Sequence, residues 1–109
     1  MSTVSRIPVT ITSGQTVSSS VDTKEQAIVG IEIPATFTGV ALTFQTASNP
    51  AGPFQPLTKT DGTNYSIVVA QGKNVIIPPT DLAGWRIVKL VSGAAEGATR
   101  VINLMVRAV

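Results

Sequence analysis

Any chemistry in this chain would have to come from oxygen atoms and lysine. Histidine and cysteine are both absent, which removes imidazole bases, thiolate nucleophiles, disulfides and zinc–thiolate sites together. What remains is a lysine-activated serine, a convergent pair of carboxylates, or a metal held by oxygen ligands. The six acids are Asp22, Glu25, Glu32, Asp61, Asp81 and Glu96. Most fall in turn-forming stretches, where a solvated or capping carboxylate is the ordinary expectation, whereas carboxylate catalysis needs a converging pair. Glu32 differs: flanked by Ile31 and Ile33 in a strand pattern, it is expected to face outward or to join an interface ion pair. The serines gather at Ser13 and at Ser18 to Ser20 with no nucleophile elbow around them. Asp61-Gly62-Thr63-Asn64 offers oxygen ligands to calcium but lacks the acids of an EF-hand loop, and reads more simply as a hairpin turn. No catalytic residue, metal or cofactor is expected.

One binding constellation stands out. Trp85 and Tyr65, each the single residue of its type, would make a sugar-stacking platform with Asn64 and Asp81 as polar neighbours. The competing and preferred reading has Trp85 plugging the bottom of the core or a seam between subunits, the commoner place for a lone tryptophan after glycine.

Positioning these residues falls to strands. In Pro79–Gly93, Arg86, Val88 and Leu90 share one side of a period-2 ribbon, and Trp85, Ile87, Lys89 and Val91 the other. Apolar residues on both faces predict a central strand, roofed by a second sheet or a neighbouring subunit. Ile7, Val9 and Ile11 form a half-buried strand whose Pro8 points to a sheet edge. Ser-rich Thr16–Val21 is extended. In the strand Gln26–Ile33, alternation sets Ile28, Gly30 and Glu32 opposite Ala27, Val29, Ile31 and Ile33. Val40, Leu42 and Phe44 give the next strand one buried face. Loop Ala47–Pro53 is followed by an edge strand over Phe54–Lys59, interrupted by Pro56. Asp61-Gly62 suits a tight hairpin because glycine accepts positive φ. Strands Tyr65–Ala70 and Asn74–Ile77 follow, and Thr80–Gly84 is read as a short helical turn capped by Thr80 or Asp81. A final strand, Thr99–Val109, has Ile102, Leu104, Val106 and Ala108 on one face. About eight short strands with turns every ten residues or so predict an all-β fold: an antiparallel β-sandwich of jelly-roll or Greek-key type.

The 109 residues make one domain, divided here into a flexible arm, residues 1–6, and the sandwich, 7–109. Charged residues are only 13% of the chain against 43% hydrophobic, about half the usual charge of a soluble domain. Part of so weakly charged a surface is expected to be covered in the working state. The net charge is +2 and the basic residues are scattered from Arg6 to Arg107, so no nucleic-acid patch is expected. No apolar run approaches the ~20 residues of a membrane helix, and the N-terminus lacks the apolar segment of a signal peptide. Synthesis and folding in a cytoplasm, with no membrane partner, is the expectation.

The stretches Pro8-Val9-Thr10-Ile11-Thr12-Ser13-Gly14-Gln15-Thr16, Ile28-Val29-Gly30-Ile31-Glu32-Ile33-Pro34 and Gly39-Val40-Ala41-Leu42-Thr43-Phe44-Gln45 resemble small structural proteins of tailed bacteriophages. Gly62-Thr63-Asn64-Tyr65-Ser66-Ile67 and Leu82-Ala83-Gly84-Trp85-Arg86-Ile87-Val88-Lys89-Leu90 fit the same group. The resemblance covers nearly the whole chain but rests on strand-and-turn motifs. It implies a non-enzymatic virion component, foremost a capsid decoration or cement protein. Such a protein would sit on the capsid surface as a homotrimer or homodimer, with the major capsid protein as its partner. A tail, neck or head-fibre adaptor is the alternative virion position, and a glycan-binding module on Trp85 and Tyr65 the alternative class. The expected interface residues are Arg6, Pro8, Trp85, Arg86, Arg100 and Arg107, with loops 47–53 and 93–98 as further candidate contact surfaces.

Overall fold

The computed structural model describes residues 4–108, and its architecture follows from which strands bury one face and which bury two. β9, Arg100–Ala108, buries Ile102, Leu104 and Val106 completely. It lies between β1, Val4–Ile11, and β3, Gln26–Glu32, with β7, Asn74–Ile76, beyond β3. In the second sheet β8, Ile87–Ser92, lies between β2, Val21–Asp22, and β4, Ala41–Ala47. The far edge of β4 carries two collinear pieces: β5, Gln55–Pro56, beside Gln45 and Thr46, and β6, Ser66–Val68, beside Ala41 to Thr43. They are one strand interrupted by a hairpin, in which Thr58 bridges to Asn64.

With β5 and β6 counted together, the antiparallel partners are β1 with β9, β2 with β8, β3 with β7, and β4 with β5/β6. That is one long hairpin; rolling it over brings β9 against β3 and β8 against β4 as well. The result is the jelly-roll form of the expected β-sandwich. The central strand read from Pro79–Gly93 is β8, whose Val88 and Leu90 are fully enclosed. Pro8 and Pro56 both sit on edge strands, where a missing N–H leaves no ladder bond unmade. Between the sheets pack Val9, Ile11, Phe37, Leu42, Phe44, Leu82, Leu90 and Leu104 among others, an aliphatic core with two phenylalanines.

The Ser-rich segment closes one flank of the sandwich. Ser19 N–H donates to Thr10 O in β1, while Ser18 N–H donates to Leu90 O in β8 and Ser18 Oγ accepts from Leu90 N–H. Small hydroxyl side chains suit a place where two sheets part and leave backbone groups to be satisfied.

Five expectations change. In β3 the ladder slips between the pairs Ile28↔Val106 and Gly30↔Met105, leaving Val29 as an extra residue. This β-bulge lets Ile28 and Ile31, three apart, both enter the core, which strict alternation forbids. Thr80–Gly84 contains no helix: i→i+3 bonds from Asp81 N–H to Pro78 O and from Trp85 N–H to Leu82 O make successive turns, and Asp81 caps nothing. Trp85 does not plug the core; it is 40% exposed, and Leu82 fills the interior in its place. The arm boundary also moves, because the long β9 extends the ladder to pair Arg107, Val106 and Met105 with Val4, Ser5 and Arg6; residues 1–3 lie outside the described residues. Finally, the turn acid Glu96, expected in solvent, is buried.

Candidate functional site

The exposed large apolar side chains divide between the two sheets: Ile76, Val4 and Val101 on the β1-β9-β3-β7 sheet, and Val68 with the adjoining Val40 on the other. On the outside of the β1-β9-β3-β7 sheet, cross-strand register lines up Ile76, Gly30, Met105 and Arg6 in one row and Asn74, Glu32, Asn103 and Pro8 in the next. Ile76 is 86% exposed, and Val101 and Val4 are about half exposed on the same sheet. Gly30, without a side chain, leaves a dimple between Ile76 and Met105 that a Cβ would narrow against Val75 O. The one acid in these rows, Glu32, faces outward as expected; its partner is the amide of Asn103, at 2.6 Å, with no ion pair among the described residues. Arg6 and Arg107, at β1 and β9, make the face mildly basic.

Of the six expected interface residues, Arg6, Pro8 and Arg107 share this face. Arg86 and Trp85 precede β8 and are exposed; Arg86 Nε lies 3.1 Å from Asp22 Oδ1 and shares a shallow depression with Ala108. A surface pair of this kind contributes about 0–1 kcal/mol. Arg100 lies elsewhere. It shares the inward side of β9 with Ile102, so its guanidinium turns under the end loops, donating from Nε to Glu96 Oε1 at 3.0 Å and from Nη1 to Thr36 Oγ1 at 2.9 Å. The Arg100–Val109 segment offers no edge to an adjacent chain over its described length, since β9 is flanked by β1 and β3.

Glu96 is the residue that sequence reasoning missed. Its side chain is wholly enclosed, yet each oxygen has two donors: Thr38 N–H and Arg100 Nε on Oε1, Gly39 N–H and Ser92 Oγ on Oε2. Its own N–H donates to Gln15 O and its carbonyl accepts from Gly14 N–H. Burial alone raises a carboxyl pKa; the bonds from Thr38, Arg100, Ser92 and Gly39 outweigh it and hold Glu96 below its ordinary value. Gly39 is needed here, for a Cβ would stand 2.3 Å from Ser92 Oγ. A carboxylate so fully satisfied has no lone pair left for a substrate, so the cluster is a clasp on the loops at 13–16, 34–40 and 93–99.

A second concave region lies at the interrupted strand. Tyr65 OH donates to Asp81 Oδ2 at 2.8 Å, and around this pair Thr58, Thr60 and Thr80 line a depression of about 350 Å³. Burial, with the adjacent Asp81 carboxylate, pushes the Tyr65 phenol up to about 12. Trp85 does not line it, so the platform expected from both aromatics is not assembled. The Asp61 turn is closed as a hairpin: its Oδ1 accepts from Thr63 N–H and Thr63 Oγ1, which holds the carboxyl below its ordinary value.

Comparison with protein-family models, with curated proteins and with solved structures finds no match to this chain. The described residues contain no group of three or more metal-ligating acids, and no helix long and apolar enough to cross a membrane. The arrangement offers a sheet face on which Ile76, Val101 and Val4 are exposed, and a shallow depression lined by Leu57, Lys59, Tyr65, Asp81 and three threonines.

Proposed function

We propose that this chain is a non-enzymatic structural protein of a tailed-bacteriophage virion, a decoration or cement protein that binds the capsid exterior as a homo-oligomer. The observation that carries the reading is the outer face of the β1-β9-β3-β7 sheet, where Ile76, Val101 and Val4 stand in solvent on a rigid ladder. Apolar side chains open to solvent on one sheet face, set among Met105 and Pro8, are available for association, and the strand-and-turn resemblance to phage structural proteins supplies the setting. A cement protein strengthens a shell by burying such a face across capsomer boundaries, with mass action favouring the assembled state. Arg6 and Arg107 at the face select a partner surface that is apolar with acidic neighbours.

The test is light scattering behind a sizing column, followed by co-sedimentation with bare capsids of the encoding phage and labelling on intact particles. A dimer or trimer that pellets with shells and labels the head supports the proposal. A monomer that stays in the supernatant while label gathers at the tail or neck assigns the chain to an adaptor position instead.

A further inference from the structure

We propose that the depression between Tyr65 and Asp81 binds one neutral sugar ring of a glycan. Its walls supply what a pyranose needs. The Tyr65 ring gives a flat apolar surface for C–H groups, and the Thr58, Thr60 and Thr80 hydroxyls each both donate and accept. Asp81 supplies the strong acceptor: Oδ2 takes the Tyr65 hydroxyl, and Oδ1 has no side-chain or backbone partner among the described residues. A carboxylate oxygen left open beside an aromatic ring is well suited to hold vicinal hydroxyls by charge-assisted hydrogen bonds.

The walls are also fixed in place before any ligand arrives. Tyr65 N–H donates to Leu57 O, and the ring packs at 5.5 Å from that of Phe44 in the core. Asp81 N–H donates to Pro78 O, in a turn whose Pro78 and Pro79 have fixed φ. Preorganisation of this kind lowers the ordering cost of binding. At about 350 Å³ the depression lies near the small end of ligand sites, matching a single ring rather than a buried oligosaccharide. Lys59 also lines the depression, but its ammonium lies 3.9 Å from Asp61 Oδ2; with the open Asp81 oxygen the walls carry no excess positive charge, so the ligand class is an uncharged hexose or N-acetylhexosamine. The site belongs to the interrupted strand of the β2-β8-β4 sheet, so it leaves the Ile76 face free and does not rest on the capsid reading.

The test is ¹H–¹⁵N NMR of the whole chain titrated with methyl glycosides of glucose, galactose, mannose and N-acetylglucosamine, with sialic acid as an acidic probe. Saturable shifts for at least one neutral glycoside, centred on amides of residues 57–60, 65 and 80–82, are the expected result. Asp81→Asn should weaken that binding by roughly tenfold or more, the loss of a charge-assisted hydrogen bond. Exposed Thr60→Val should weaken it too, and both variants should leave amide positions in β9 unchanged, which shows the fold intact. Absence of saturable shifts at these amides, binding that survives Asp81→Asn undiminished, or tighter binding of sialic acid would each overturn the proposal.

Discussion

A single carboxylate holds one end of this sandwich together. Removing one partner of a buried, hydrogen-bonded ion pair typically costs about 3–5 kcal/mol, because the other charge is left enclosed. Glu96→Ala, which strands Arg100 and the Thr38 and Gly39 amides, is therefore expected to lower the unfolding free energy by about that amount in urea titrations. The pH dependence has a definite sign. Glu96 has a folded-state pKa below its unfolded one, so its contribution is fully present above the unfolded pKa and is lost as pH falls through the folded value. Acid unfolding of the wild type should thus show a slope in the carboxylate range that Glu96→Gln reduces. Tyr65 carries the opposite sign: with the phenol raised to about 12, its contribution is present below the unfolded pKa of about 10 and is lost as pH climbs through 12. Because it is the only tyrosine, ultraviolet titration reads it directly, and Asp81→Asn should bring the midpoint down.

At the scale of elements, the bulge in β3 and the interrupted strand decide which side chains reach the core and which reach solvent. Deleting Val29 would set Ile28 and Ile31 two apart on a regular ladder, which keeps both on the core face and removes the bulge. The deletion should therefore keep a cooperative unfolding transition, and Val29→Ala should lower the unfolding free energy by roughly 1 kcal/mol. Leu82→Ala is expected to cost about 2–5 kcal/mol, as befits a buried leucine, and Trp85→Ala much less. These contrasts mark what the sequence can and cannot disclose. Alternation over Leu42–Phe44 and Ile102–Val106 is legible because each strand buries a single face. The bulge leaves no such mark, since Ile28-Val29-Gly30-Ile31 reads equally well as an unbroken strand. Glu96 is illegible for another reason: its acceptor role depends on Thr38 and Gly39, 58 and 57 residues away, and its neighbours in Gly93–Ala98 resemble any exposed loop. Trp85 misleads because burial is the ordinary fate of its residue type, whereas here Leu82 already occupies the interior. Arg6, Pro8 and Arg107 share one face because β1 and β9 pair in register, a relation that the local pattern of either strand alone does not contain.

For the molecule as a whole, the jelly roll places the two candidate surfaces on different sheets. One sheet face presents Ile76, Val101 and Val4 to solvent, and the interrupted strand of the other sheet carries the hydroxyl-lined depression. Arg6, Arg107 and Glu32 on the first face require complementary charges on whatever buries it, and the edge position of β7 puts Ile76 where a neighbour can reach it. The most direct test of the proposed role is co-sedimentation with bare capsids of the encoding phage, comparing the wild type with Ile76→Asp. This side chain makes almost no contact within the fold, so the variant should unfold at the same urea concentration as the wild type. If the face attaches the protein to the shell, the wild type pellets with capsids and Ile76→Asp stays in the supernatant. Equal pelleting of the two would contradict the assignment of this face, and failure of the wild type to pellet at all would contradict the capsid role itself.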